Sequence, residues 1–237
     1  MSSAVTLPKV LIVLSSATKT LKGEDTGVFI SELAHPFYAI HQHVDITFAS
    51  PTGHSVIDPG SIAMFKDDIE SMSFLKDRAD KYQNNVPLSQ INPAEYDAVL
   101  LPGGHGPSID LIKDNDAQRV ISRIYQAGKP VAAVCHAGGV LGSVVDKHSE
   151  SIYKGRKATA FSNTEEEMVG KVQSISETPE DHIKRHGGVY VKADQPWGEC
   201  VIVDKNANGV YISGQNPASA KKLGDEFLKA IHEGVQK

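Results

Sequence analysis

A cysteine followed directly by a histidine joins a thiol to an imidazole that can take its proton. The stretch Val131–Gly139, VAAVCHAGG, sets Cys135 and His136 between an apolar run and three small residues. A thiolate there would add to an electrophilic carbon such as a carbonyl. VAAV has the composition of a buried strand and AGGVLGSVV opens a helical pattern, so Cys135 falls in the turn between them. Such an elbow presents its side chain at the carboxyl edge of a sheet, and Ala137, Gly138 and Gly139 allow the helix to approach closely. The helix amino terminus is expected to favour the thiolate. The His136 amide would then face an oxyanion forming on a bound carbonyl.

A second loop belongs at the same edge. Pro102–Pro107, PGGHGP, follows the apolar run YDAVLL, and Gly103 and Gly104 let backbone come close to a ligand. The loop has neither the G-x-x-x-x-G-K-[ST] nor the G-x-G-x-x-G spacing, which disfavours a phosphate or dinucleotide cradle. The expectation is that the Gly104 amide completes an oxyanion hole with His136, while Gly103 and His105 line the substrate pocket. Trp197, the single tryptophan, either lines that pocket or packs its rim.

The elements that must hold these loops follow from the patterning. Val10–Leu14, Val44–Ala49, Tyr96–Leu101 and Val131–Val134 read as strands buried on both faces, separated in part by helical segments. A first helix is expected from Gly27 to Ile40, turning Phe29, Leu33, Phe37 and Ile40 toward the sheet. Ala117–Gln126 forms another, stopped by Gly128 and Pro130. A last helix is capped by Asn216 before Pro217 and carries Leu223, Phe227 and Ile231 inward. Residues 55–90 and 165–186 break the alternation and read as insertions near the rim of a single domain spanning 1–237.

Composition narrows the function. Of 237 residues about 40% are apolar, enough for one sizeable core, and 24 basic against 29 acidic residues give a net charge of −5 with no basic block to follow a nucleic acid. The amino-terminal MSSAVTLPKV lacks the features of a secretory leader, and no apolar run reaches the length of a membrane span. A cytoplasmic protein is expected. The two cysteines, Cys135 and Cys200, should both be thiols, with Cys200 structural. His182 and His186, four apart, read as a solvated helix face rather than metal ligands, and no metal is expected.

The blocks TGVFISELAHPF (26–37), GGHG (103–106), AAVCHA (132–137), PW (196–197) and SGQNPASA (213–220) together resemble the ThiJ/PfpI superfamily. Its fold is class I glutamine amidotransferase-like, and the likeness is strongest to the fungal glutathione-independent glyoxalase III-like heat-shock proteins. The resemblance implies an α/β, flavodoxin-like three-layer sandwich with a mostly parallel central sheet. It implies Cys135 as nucleophile, His136 as its partner and Glu32 as a carboxyl facing the sulfur. Pro36 removes the N–H that would bond the Glu32 carbonyl, so a locally bent helix could carry that carboxyl to the sheet edge, where partial burial would raise its pKa. A third triad member is implied after the strand end ATAFSNTEEE, pointing to Glu166 with Glu165 and Glu167 as alternatives. The chain departs from the family in having Ala137-Gly138 after the Cys-His pair and Pro102-Gly103 before Gly104, which bears on substrate preference.

What the resemblance implies for activity is conversion of methylglyoxal, or a similar 2-oxoaldehyde, to D-lactate through a cysteine hemithioacetal, with no cofactor and no glutathione. It also implies a homodimer. A stress-related holdase chaperone and a cysteine-dependent amide or peptide hydrolase are the alternatives. Glutamine amidotransferase action is disfavoured, because the late His-x-Glu element of those enzymes is missing.

Overall fold

The computed structural model describes residues 6–207 and 209–235, so Met1–Val5 of the stretch read as lacking a leader lie outside the described residues. The strands are β1 (Lys9–Val13), β2 (Asp45–Ser50), β3 (Val86–Pro87), β4 (Ala98–Leu101), β5 (Val131–Val134), β6 (Lys157–Ala158), β7 (Val189–Tyr190), β8 (Val201–Asn206) and β9 (Gly209–Gly214). The helices are α1 (Ile30–Ile40), α2 (Pro59–Met64), α3 (Ile69–Asp77), α4 (Ala79–Gln83), α5 (Asn115–Gln126), α6 (Ala137–Val140), α7 (Asn163–Val169), α8 (Pro179–Arg185) and α9 (Ala220–Val235). The main sheet has seven strands in the order β3-β2-β1-β4-β5-β9-β8, parallel except for β8 against β9. β6 and β7 form a separate parallel pair.

Alternation along the central strands sorts their side chains into two cores. Leu11 and Val13 of β1, with Leu101 of β4 and Ala133 of β5, pack under α5, α6 and α8 through Val120, Ile124, Val140 and Ile183. Val10 and Ile12, with Leu100 and Val134, pack on the other face under α1, α3 and α9 through Leu33, Phe37, Phe74, Leu223 and Phe227. Each fully buried large apolar side chain contributes about 1.5–3 kcal/mol, so a sheet covered on both faces is a rigid base for the loops at its carboxyl edge. This is the three-layer α/β architecture expected from the sequence.

Several local expectations shift. Helix α1 begins at Ile30, not Gly27, and Phe29 sits half-buried at its N-cap, edge-on to Phe65, rather than against the sheet. A side chain at Gly27 would meet the Val56 carbonyl at 2.5 Å, because this segment runs as an extended bridge beside Ile57. Asn216 has extended backbone and gives no side-chain cap; Pro217–Ser219 form a 3-10 turn before α9 starts. The β8–β9 hairpin, absent from the sequence reading, supplies β9 as the partner of β5, pairing Val134 with Gly214. Residues 55–90 contribute α2 to α4 and the edge strand β3.

Candidate active site

The turn after β5 has the strained geometry of a nucleophile elbow. Cys135 has φ +58, a left-handed conformation that costs a side-chain-bearing residue about 1–3 kcal/mol. The turn is held from both sides: the Cys135 N–H donates to the Gly214 carbonyl at 2.9 Å, and the Phe161 N–H reaches the Cys135 carbonyl at 3.4 Å. Gly138 is required by the close approach of the next segment, since a Cβ there would lie 2.7 Å from Ala160 Cβ. The helix that follows is short, with α6 ending at Val140 and passing into a 3-10 turn over Leu141–Ser143.

A relay of side chains leads away from the thiol. Cys135 Sγ lies 3.2 Å from His136 Nδ1, and His136 Nε2 lies 2.5 Å from Glu166 Oε2. The other oxygen of Glu166 lies 2.9 Å from His105 Nε2, so one carboxylate serves two imidazoles. Phe161 stacks on His136 at 4.7 Å between ring centres, and the His105 ring sits 4.1 Å from His136. Cys135, His136 and Glu166 are at most 3% exposed, whereas the His105 side chain is 14% exposed.

On the opposite side of the sulfur lies Glu32 from α1, fully buried. Pro36 lies within the same helix and is itself buried; Gly224 of α9 packs so tightly against it that a Cβ would come within 2.8 Å of Pro36 Cα. Neither Glu32 oxygen has a partner at full hydrogen-bond geometry, yet the Cys135 thiol and the amides of Gly104 and Gly103 are near enough to draw its pKa down. Burial overrides them and pushes the carboxyl up to about 8. Gly103 leaves room for this group: a Cβ would lie 2.4 Å from Glu32 Oε2 and 2.7 Å from Cys135 Cβ. Gly104, at φ +98, turns the loop over Gly27 and brings its amide, with that of His136, to the sulfur.

The resting protonation differs from the sequence expectation of a ready thiolate. Burial, and then the charge and hydrogen bond of Glu32, push the Cys135 thiol well up, against the pull of the Gly104 and His136 amides. A single turn of helix with the sulfur out of water is too little to offset desolvation. Burial, reinforced by His105, drives the His136 pKa down to about 4. Burial would raise Glu166 too, but the two imidazoles overcome it and hold the carboxyl well below the usual range. The consistent state at neutral pH has Nε2–H of His136 donating to a Glu166 carboxylate, which leaves Nδ1 free to accept the thiol proton.

The structure separates the three glutamates that the sequence left open. Glu166 reaches His136, and Glu167 is exposed. Glu165 is equally buried but accepts from the Ser162 amide and hydroxyl, the Trp197 amide, Gln215 Nε2 and Asn216 Nδ2. Ser162 and Glu165 form a capping box at the start of α7. That Ser-x-x-Glu spacing was present in the sequence and assigns Glu165 to the backbone. Asn216, read as a cap, is instead part of this hub because Glu165 needs its amide. Trp197 has φ +65, remains 41% exposed, and tilts toward Phe161 at 5.6 Å, beside the His136 stack. Phe161, part of the block ATAFSNTEEE that points to Glu166, has no ring contact foreseen from the sequence.

His105, His136 and Glu166 place donor atoms within 4.8 Å of one another, a set chemically able to hold a divalent ion. Both Glu166 oxygens are already engaged by imidazole nitrogens, which accounts for the convergence without one. His182, expected on a solvated face, is 3% exposed: its Nδ1 lies 2.7 Å from Glu177 Oε2 and its Nε2 3.3 Å from Ser143 Oγ. Gly142 permits this, since a Cβ there would lie 2.5 Å from the His182 ring. A concavity of about 700 Å³ lies at the amino edge of the sheet, between Leu7, Lys129, Lys205 and Lys229, remote from Cys135. Among the described residues no helix is long and apolar enough to cross a membrane.

Comparison with known proteins places the chain among relatives. The model of the DJ-1/PfpI family matches residues 30–230. Glyoxalase 3 of Candida albicans is 29% identical, and the glutathione-independent glyoxalase HSP31 of Saccharomyces cerevisiae 31%; each match covers 94% of this chain and 98% of the relative. Among solved structures, the Rapid Encystment Protein of Francisella tularensis superposes with a TM-score of 0.86 at 30% identity, covering 95% of this chain and 99% of that one. Glyoxalase III of Candida albicans superposes at 0.79 with 27% identity, covering 94% and 97%.

Proposed function

The chain belongs to the DJ-1/PfpI family, and from that premise we propose that it is a glutathione-independent glyoxalase that converts methylglyoxal and related 2-oxoaldehydes to 2-hydroxy acids, D-lactate in the first case. The observation that carries the reading is Cys135 held between two different proton-handling groups, neutral His136 on one side and protonated Glu32 on the other. An internal redox reaction that moves a proton between adjacent carbons needs both.

In this reading the Cys135 thiol passes its proton to His136 Nδ1 as sulfur attacks the aldehyde carbon, C1. The developing oxyanion is met by the Gly104 and His136 amides and takes the Glu32 proton, which gives a hemithioacetal and a Glu32 carboxylate. That carboxylate removes the proton from C1, forming an enediolate, and returns it to C2 while the hydroxyl proton on the C1 oxygen passes to the C2 oxygen. The product is a 2-hydroxy thioester on Cys135. Water adds to the thioester and gives a proton to the Glu32 carboxylate, restoring the acid; the C–S bond breaks, and sulfur recovers its proton from His136 as the hydroxy acid leaves. Glu166 keeps His136 oriented throughout. Gly103 and His105 bound the pocket beside the sulfur, and Trp197 closes its outer side near Phe161.

Purified protein with methylglyoxal and no glutathione should form lactate, and Cys135→Ala should lower the rate by a factor of at least about 10³. No lactate from the wild type, or equal turnover by the variant, overturns the reading. Client protection that survives Cys135→Ala would favour the chaperone alternative, and Cys135-dependent cleavage of peptides the hydrolase one. The proposal takes a homodimer in the cytoplasm as its setting; sedimentation of the full chain and localisation of a tagged copy test those two parts.

A further inference from the structure

Glu166 is a shared carboxylate. His136 Nε2 holds one oxygen and His105 Nε2 the other, at 2.5 and 2.9 Å, with the carboxylate fully buried between them. The proposed mechanism uses only the first of these bonds. His105 projects from the loop that also carries Gly103 and Gly104, its ring is tilted 42° against His136, and its side chain retains contact with solvent.

We infer that His105 is a positioning residue that sets the basicity of His136 by dividing the Glu166 carboxylate with it, so that His136 stays a neutral acceptor for the Cys135 proton at any pH the cell reaches. An undivided buried carboxylate beside an imidazole stabilises the imidazolium and raises its pKa. A second N–H on the other oxygen disperses that negative charge, and any positive charge on His105 opposes one on His136 directly. The groups facing His136 are few. Cys135 lies at Nδ1, Glu166 at Nε2, His105 and Phe161 beside the ring, and Glu165 behind Glu166 on α7, tied to five donors of its own. Of these, His105 is the one that opposes a positive charge on the ring, and the depressed His136 pKa has His105 as its largest cause after burial.

The inference rests on the proposed reaction only for its consequence in turnover; its physical content is the His136 titration. The test is therefore made first without substrate, by NMR titration of His136 in the full chain, for wild type, His105→Ala and His105→Gln. The alanine variant frees one Glu166 oxygen, and the His136 midpoint should rise by about one pH unit. The glutamine variant keeps an N–H donor without an imidazole charge, and its midpoint should fall between the two. The same order should then appear in the acid limb of kcat/KM for lactate formation, which moves to higher pH as His136 protonates earlier. An unmoved or lowered His136 midpoint in both variants overturns the inference. If no variant, wild type included, makes lactate, the proposed function fails while the titration still decides the role of His105.

Discussion

Glu165 and Glu166 are consecutive on one helix, share complete burial and both have carboxyls held below the usual range, yet they are wired to different parts of the molecule. Glu165 binds a capping serine, the Trp197 backbone and the Gln215-Asn216 corner after β9; it joins α7 to the segments that cross the rim. Glu166 binds two imidazoles and no other described group. Burial therefore does not distinguish a structural carboxylate from a chemical one. The partners do: backbone and amide donors fix a fold, while titratable donors transmit a proton demand.

That contrast can be broken by exchanging effects between the two positions. Glu166→Gln should lower lactate formation by about 10²–10⁴ by leaving His136 without its anionic anchor, with a thermal midpoint close to wild type; a comparable loss of fold would erase the distinction. Glu165→Ala strands several buried donors and should cost about 3 kcal/mol of stability by denaturant unfolding, while the folded fraction keeps turning over substrate. A third buried carboxyl, Glu32, sharpens the comparison because it lacks strong partners. Its pKa of about 8 in the folded chain exceeds its ordinary 4.5, so the folded state holds a proton that the unfolded state has released. Stability should therefore fall as pH rises from about 4.5 to 8, by a few kcal/mol, and Glu32→Gln should flatten that fall. The smallest effect is expected from Asn216→Ala, which removes one bond to Glu165, one to the Gly198 carbonyl and the acceptor of the Ser219 hydroxyl and should cost about 1–2 kcal/mol with little change in rate.

How far the sequence reached can be argued from the same residues. β1, β4 and β5 announce themselves because strands buried on both faces are continuously apolar, and the elbow at Cys135 follows from a strand meeting small residues. β9 did not, although it pairs with β5, because GVYISG opens and closes on glycine and follows a polar turn. The split between Glu165 and Glu166 depends on which face of α7 meets which element, a tertiary fact that only the capping-box spacing hints at. The sequence points to a thiolate at Cys135 because a helix terminus is visible in a sequence whereas the desolvation that holds the thiol is not. His182 shows the same limit: two histidines at i and i+4 suggest a surface stripe until Gly142 lets another segment cover it.

Adjacency on α7 has one more consequence. Successive residues on a helix point about 100° apart, so the angle between the fold-bearing carboxylate and the one that anchors His136 is set by the peptide geometry itself. A single residue inserted between Ser162 and Glu165 would rotate both at once, turning Glu165 into the position of Glu166 and Glu166 out toward solvent. The side chain facing His136 would be the same in kind, but the anchor at Trp197 and Asn216 would be gone. Helix α7 thus behaves as a keyed plug: it seats in one orientation, and the chemistry is live only when the lock beside it is closed.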